Sequence, residues 1–348
     1  MFDSLFGLVS YDLGIDLGTT HTFVLIKGKG IMIREPSVVA RQQKSKQILA
    51  IGEEAKKMLG KTPKNIEAFY PLRNGVIADF DATQAMLEYY IRKVHETPGW
   101  IPKIPKPKVV IGVPSGVTEV ERRAVQEAAL SAGARRAYLI EEPMAAAIGI
   151  GLPINDPSGI FICDIGGGTS EIAIISLGGI VINRSVRVAG TEMDEAIVNF
   201  CRLKYSLLIG LPTAEEVKIT LGSVYPKKEE TQAVVRGRDL GTGLPRSVRI
   251  SSSEIREALS PIASQIVSHI HDVLEETPPE LVSDIINRGL ILCGGTSQID
   301  GFDKLVAEAT KMPVWVADDP ATAVVKGCGK VLENTKLLER VKITGGLK

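Results

Sequence analysis

Two acidic residues each end an apolar run and each lead at once into a turn of glycine and threonine. Asp16 is followed by Leu17-Gly18-Thr19-Thr20, and Asp164 by Ile165-Gly166-Gly167-Gly168-Thr169. Glycine in such a turn lets the backbone come close to a ligand and aims amide N–H groups at phosphate oxygens. The hydroxyls of Thr19, Thr20 and Thr169 add donors. A hydrated Mg²⁺ is held by one or two carboxylates together with substrate phosphates, and Asp16 and Asp164 at two strand ends supply that number. One Asp-x-Gly-Thr carries little information, because strand–turn–strand connections are rich in Asp and Gly. Two of them in matched surroundings point to a metal-bound polyphosphate.

The surroundings do match. The first turn leads through a strand-like stretch to Gly30-Ile31-Met32-Ile33-Arg34, and the second through Glu171-Ile172-Ala173-Ile174-Ile175 to Gly179-Ile180-Val181-Ile182-Asn183. Val109-Val110-Ile111-Gly112-Val113-Pro114 parallels Leu290-Ile291-Leu292-Cys293-Gly294-Gly295. Tyr138-Leu139-Ile140-Glu141-Glu142-Pro143, with Ala145 and Ala146, parallels Val314-Trp315-Val316-Ala317-Asp318-Asp319-Pro320 with Ala323. Four landmarks in one order predict two copies of one α/β unit: a three-strand meander followed by strand–helix crossovers, giving a mixed sheet with helices packed on it.

Capping boxes at Thr118-x-x-Glu121 and Ser251-x-x-Glu254 open two of the helices. Charge- and turn-rich stretches interrupt each copy and read as inserted lobes. The expected division is a first domain over 1–150 (core 1–35 and 73–150, lobe 36–72) and a second over 151–333 (core 151–188 and 251–324, lobe 189–250). A terminal segment, 325–348, returns to the first domain.

Two further segments fit both a structural and a chemical role. Glu141-Glu142-Pro143 suits a first helical turn, where acidic residues and proline are favoured. Equally, one of its carboxylates could orient water against a terminal phosphate. Gly294-Gly295 suits a tight turn before a helix at Phe302, or a bare stretch of backbone on which an adenine-sized ring could lie.

Composition narrows the classes. Lys and Arg number 41 and so do Asp and Glu, and aromatics make up 5%; neither a basic footprint nor a base-stacking surface for nucleic acid is present. The four cysteines form no Cys-x-x-Cys pair and read as buried thiols of a reducing compartment. No stretch has the ~18 continuous apolar residues that span a bilayer. At the amino terminus Met1, Phe2, Leu5, Phe6, Leu8 and Val9 share one face of a short helix. No positive n-region precedes them, so a signal peptide is not expected. Such a leader either packs beside the first strand or lies in a membrane interface.

Taken together, the two phosphate motifs, the Glu-Glu-Pro segment and the Gly-Gly segment resemble the actin, heat-shock chaperone and sugar-kinase superfamily. Ile140–Gly149, Asp164–Thr169, Ser176–Val181 and Met193–Ile197 are similar to the MreB family of bacterial actins. The resemblance implies a duplicated ribonuclease-H-like (actin-like ATPase) fold, with a small lobe in each domain and a central nucleotide cleft. It implies ATP and Mg²⁺ as ligands, with Asp16, Gly18, Thr19 and Thr20 in the first phosphate loop and Asp164, Gly166, Gly167, Gly168 and Thr169 in the second.

By the same resemblance Glu142 positions the hydrolytic water with Thr169 as its partner, Glu215 and Lys218 lie beside the nucleoside, and Gly294 and Gly295 form the adenosine loop. Phe2, Leu5 and Phe6 match an amphipathic membrane anchor, and Trp100 and Ile101 a second insertion loop. Implied too are a slow ATPase coupled to assembly, paired protofilaments, a place on the inner face of the cytoplasmic membrane, and work with the cell-wall elongation machinery through a membrane-spanning adaptor. No nucleic-acid partner is implied. A small-molecule kinase of the same fold is the alternative. Thr20-His21 departs from the family, many of whose members carry Ala-Asn there.

Overall fold

The computed structural model describes residues 10–96 and 104–343. Phe2, Leu5, Phe6, Trp100 and Ile101, expected to meet a membrane, lie outside the described residues.

Two five-stranded sheets carry the molecule, and they repeat one topology. In the first, β1 (Leu13–Leu17), β2 (His21–Ile26) and β3 (Gly30–Pro36) form an antiparallel meander, and β9 (Lys108–Val113) and β10 (Arg136–Glu141) continue parallel to β1, in the order β10-β9-β1-β2-β3. In the second, β11 (Ile160–Ile165), β12 (Ser170–Ser176), β13 (Gly179–Val186), β17 (Leu290–Cys293) and β18 (Val314–Val316) stand in the order β13-β12-β11-β17-β18. Antiparallel meander strands need only tight turns, whereas the parallel pairs need the long crossovers that the helices provide. The duplicated landmarks of the sequence are these corresponding strands.

Each sheet is covered on both faces. On the first, α2 (Phe80–His95) and α3 (Glu119–Ser131) bury Met86, Leu87 and Ala128 against Ile15 and Ile111. On the second, the long α7 (Ser252–Glu276) brings Ile255, Leu259, Ile266 and Ile270 against Ile172 and Ile174. Both α3 and α7 start with the expected capping boxes.

The middle layer is shared. Helix α4 (Glu142–Ile150), which follows β10, reaches β11 and β12 of the other sheet, while α10 (Ala323–Glu333), which follows β18, lies on β1 and β9. The two helices cross on small residues: a Cβ at Gly149 would lie 1.9 Å from the Ala323 carbonyl oxygen, and one at Gly327 1.8 Å from that of Ala145. Only glycine allows so close an approach. Helix α11 (Thr335–Val341) follows, and the Ile343 N–H reaches the Leu139 carbonyl.

Smaller elements sit above each sheet. One group holds β4 (Val39–Gln42), β5 (Ile48–Ile51) and β6 (Ile66–Phe69) with the four-residue α1 (Glu53–Lys56), followed by the hairpin β7 (Leu72–Arg73) and β8 (Val76–Ile77). Within it Arg41 is clamped between Glu67 at 2.5 Å and Asp79 at 2.7 Å. The other group holds α5 (Gly190–Tyr205), α6 (Leu211–Leu221) and the sheet β14 (Leu207–Leu208), β15 (Gln232–Asp239) and β16 (Pro245–Ser251). Helices α8 (Pro279–Arg288) and α9 (Phe302–Thr310) complete the second half. All four cysteines are buried and free. Among the described residues no helix is long and apolar enough to cross a membrane.

Candidate nucleotide cleft

The β1–β2 and β11–β12 turns meet face to face. A Cβ at Gly167 would lie 2.3 Å from Thr20 Oγ1, and one at Gly168 2.4 Å from Thr19 Oγ1. Glycine in the second turn is therefore what lets the threonines of the first come into contact. Each turn is held from behind by the residues that open its own half's smaller group of elements. Ser37 donates its hydroxyl to the Gly18 carbonyl and its N–H to that of Thr20. Gly190 N–H donates to Gly166, and Thr191 donates both its N–H and its hydroxyl to Gly167. A short connection thus fixes the backbone dipoles of each turn before any ligand arrives.

Four carboxylates gather below the turns. Asp16 and Asp164 come from the ends of β1 and β11, Glu142 is the first residue of α4, and Glu171 is the second residue of β12, opposite Asp164 in the strand register. Burial pushes Asp16 up to about 7, and burial with the Asp16 and Glu171 charges pushes Asp164 up to about 8. Glu142 is driven well above the carboxylate range by burial and then by Glu171, Asp16 and Asp164. Burial also raises Glu171 to about 7, partly opposed by two hydrogen bonds, from the Ser185 hydroxyl and the Ser115 N–H.

The charged neighbours acting on Asp164 and Glu142 are themselves carboxylates, an arrangement that costs free energy unless a cation joins it. Among the described residues no group of three side chains forms a closed metal cage. Two uncompensated aspartates at the mouth of the phosphate turns fit Mg²⁺, which keeps most of its waters.

Above the turns lies a cavity of about 540 Å³, within the range of small-molecule sites. Asp16, Gly18, Thr19, Thr20, Glu142, Asp164, Gly166, Gly167, Gly168, Thr169, Glu215, Lys218, Gly294 and Gly295 all line it. Residues far apart in the chain are thereby brought to one wall. Gly294, at φ +84, leans so close to Asp164 that a Cβ there would sit 2.3 Å from Oδ1, and Gly295 opens a short 3₁₀ turn.

Lys218 and Glu215 are both engaged: Lys218 Nζ is 2.8 Å from Asp194 Oδ1 and donates to the Gly190 carbonyl, and Glu215 pairs with Lys56 at 2.9 Å. His21 also lines the wall, its Nδ1 3.3 Å from Thr20 Oγ1. Burial and the Lys56 charge hold its pKa below the ordinary value, so it is neutral near pH 7.

Sequence reasoning missed three contributors. Glu171 is the one charged residue on a strand, Ser170–Ser176, that is apolar from Ile172 to Ile175, and that mismatch is a readable signal. Asp194 lies beside the buried Met193 on α5, a weaker signal. Lys56, on an exposed-looking helix of four residues, offers none.

The profile of the MreB/Mbl protein family matches residues 10–340. The cell shape-determining protein MreB of Escherichia coli K12 is 50% identical over 331 residues, covering 94% of each chain. The cell shape-determining protein Mbl of Bacillus subtilis 168 is 46% identical over 333 residues, covering 96% of this chain and 99% of that one. Among solved structures, MreB5 of Spiroplasma citri bound to ADP superposes with a TM-score of 0.88 at 37% identity, covering 95% of this chain and 98% of that one. The same protein bound to AMPPNP gives 0.87 at 38% identity, with 94% and 97% covered. A double-helical MamK filament shares the fold at a TM-score of 0.78 and 23% identity. With two copies of one α/β unit closed around a cavity lined by paired phosphate-type turns, this chain belongs to the MreB/Mbl family and has the actin-like fold.

Proposed function

We propose that this protein is a bacterial actin that binds ATP with Mg²⁺, hydrolyses it slowly, and polymerises into membrane-associated filaments that organise cell-wall synthesis and so maintain rod shape. The observation that carries the reading is the meeting of two glycine–threonine turns over buried carboxylates whose acting charged neighbours are other carboxylates. Relatives at 46–50% identity are named for cell-shape determination, and a relative of the same fold holds ADP or AMPPNP. In this reading the bodies that close on the nucleotide are 1–150 and 151–333, with lobes 36–72 and 189–250, and 325–348 packs back on the first.

Asp16 and Asp164 would hold Mg²⁺ through its waters, which supplies positive charge to the polyphosphate. Gly18, Thr19, Thr20 and Gly166–Thr169 bind its oxygens from both sides. Gly294 and Gly295 leave room for the base, and Glu215 and Lys218 flank the nucleoside. Glu142, with Thr169, orients a water in line with the terminal phosphorus; water oxygen bonds to phosphorus, the bond to ADP oxygen breaks, and the water proton passes toward Glu142. Preorganised donors and charge, rather than covalent chemistry, do the catalysis.

Membrane attachment is assigned to Phe2, Leu5 and Phe6 together with Trp100 and Ile101. Ser10 Oγ lies 3.1 Å from His95 Nε2 and accepts from the Lys106 N–H at 3.2 Å. The described residues that border the two apolar segments are therefore joined, which supports their acting as one attachment. A single short anchor binds weakly, and polymerisation multiplies it.

Electron microscopy of the purified protein with ATP and Mg²⁺ on anionic liposomes tests the reading. Filaments lying on the liposomes are expected, with a variant lacking Met1–Val9 polymerising but leaving most liposomes bare. Absence of polymer with ATP and Mg²⁺ would overturn it.

A further inference from the structure

We propose that the Lys56–Glu215 ion pair is a latch across the mouth of the cleft and sets how fast nucleotide leaves. The inference rests on the nucleotide reading of the cleft. Lys56 ends α1, among the elements above the first sheet; Glu215 lies on α6, above the second. Their Nζ and Oε2 atoms are 2.9 Å apart, with 25% and 17% of the side chains exposed. A pair within one lobe would stabilise that lobe alone. This one joins two bodies separated by the cavity, so its free energy depends on how far they open.

The lysine is well placed for the task. Its N–H donates to the Gly52 carbonyl, and Gly52, at φ +71, is pressed against Glu35, so that a Cβ there would lie 1.8 Å from Oε2. The helix therefore starts from a fixed point rather than drifting with solvent.

Glu215 faces two ways. It lines the cavity and also pairs with Lys56, so a nucleoside hydroxyl that reaches it from inside meets a carboxylate already held from the far side. Other contacts join the halves elsewhere: the Ser115 N–H to Glu171 and Gly167 against Thr20 at the turns, and the longer, more exposed pairs Arg34–Asp319 and Arg187–Glu121, both at 3.7 Å. The Lys56–Glu215 pair is the shortest and least exposed of these ion pairs and the one with a partner in the cavity wall, so opening of the cavity beside Glu215 strains it first.

The test is release of a fluorescent ATP analogue, preloaded with Mg²⁺ and chased with excess unlabelled ATP, at protein concentrations where light scattering shows no polymer. Lys56→Met should release it roughly two- to fivefold faster, the effect of losing a partly exposed pair. Lys56→Arg should restore slow release, because it keeps the positive charge within reach of Glu215. Wild-type release from Lys56→Met, or equal acceleration by Lys56→Arg, overturns the latch. Failure of the wild-type protein to bind the analogue overturns instead the nucleotide reading, a separate result. Thermal melts of both variants show that they are folded.

Discussion

Opposite Asp16 on the neighbouring strand stands Phe23; opposite Asp164 stands Glu171. The same place in the two copies holds an apolar ring in one and a buried carboxylate in the other. A second contrast lies at the helices that follow. Helix α4 begins directly at the end of β10 and so delivers Glu142 to the cavity, whereas α10 is delayed behind a 3₁₀ turn, Pro320–Thr322, and offers Pro320 and Val324.

Strand β2 alternates between half-buried and buried residues, whereas every residue of β12 is buried. The duplicated plan thus repeats the backbone and the two phosphate-type turns, and the chemistry is shared out unequally. The first half carries Glu142, the carboxylate proposed to orient water, and the second carries Glu171 and the bare backbone at Gly294 and Gly295. Duplication supplies a two-sided grip; divergence at a few positions turns the grip into a site with a direction.

The comparison can be broken most sharply at the feature the halves share. Asp164→Ala should lower Mg²⁺-dependent nucleotide affinity by about 10- to 100-fold, the scale of losing a partner that holds a metal through its waters, while leaving the fold intact. Titration with and without Mg²⁺ reads this, and equal affinity of variant and wild type in Mg²⁺ would remove the aspartate pair from the site.

Glu142 tests what the halves do not share. Glu142→Ala should bind ATP and polymerise but release phosphate ~10² times more slowly or worse. Wild-type phosphate release would move the role elsewhere, to Glu141 first.

A third test returns to symmetry, at the crossing of α4 and α10. Gly149→Leu forces a side chain into the Ala323 carbonyl and should cost about 1–3 kcal/mol in urea unfolding. Gly327→Leu should cost a similar amount, because the clash with Ala145 is the reciprocal one. Tolerance of one and not the other would show that the crossing is not reciprocal in its energetics.

The smallest effect concerns Glu171. Its pKa is raised in the fold from 4.5 to about 7, so its favourable protonated form contributes fully below about 4.5 and is lost as pH rises through about 7. Without nucleotide or metal, the wild type should melt lower at about pH 8 than at about pH 5, by a few degrees, and Glu171→Gln should lose less over that range. An identical pH dependence in the two proteins would show that the carboxylate is not the group titrating.

Much of this arrangement is visible along the chain itself. The alternation of β2, the apolar runs of β1 and β11, the Thr118 and Ser251 capping boxes and the two Gly-Thr turns are properties of near neighbours. The periods of strand and helix and the backbone freedom of glycine express them wherever the chain folds. Cleft residues that belong to such turns, Asp16 and Asp164 among them, could be named in advance for that reason. Glu142 and Gly294 each have two readings in the sequence, and the structure places both in the cavity wall, with Glu142 also opening its helix.

What only the tertiary structure decided is which distant groups share a dielectric and a hydrogen bond. Glu171 becomes the fourth member of a buried acidic cluster because β12 lies between two covering layers. Lys218 turns to Asp194 and the Gly190 carbonyl because α5 and α6 pack together. Lys56 meets Glu215 because the smaller elements above the two sheets come together beside one cavity. Local sequence determines conformation through covalent neighbours a few residues away, whereas the energies of these charges depend on burial and on partners brought within a few ångströms by the packing of the two halves.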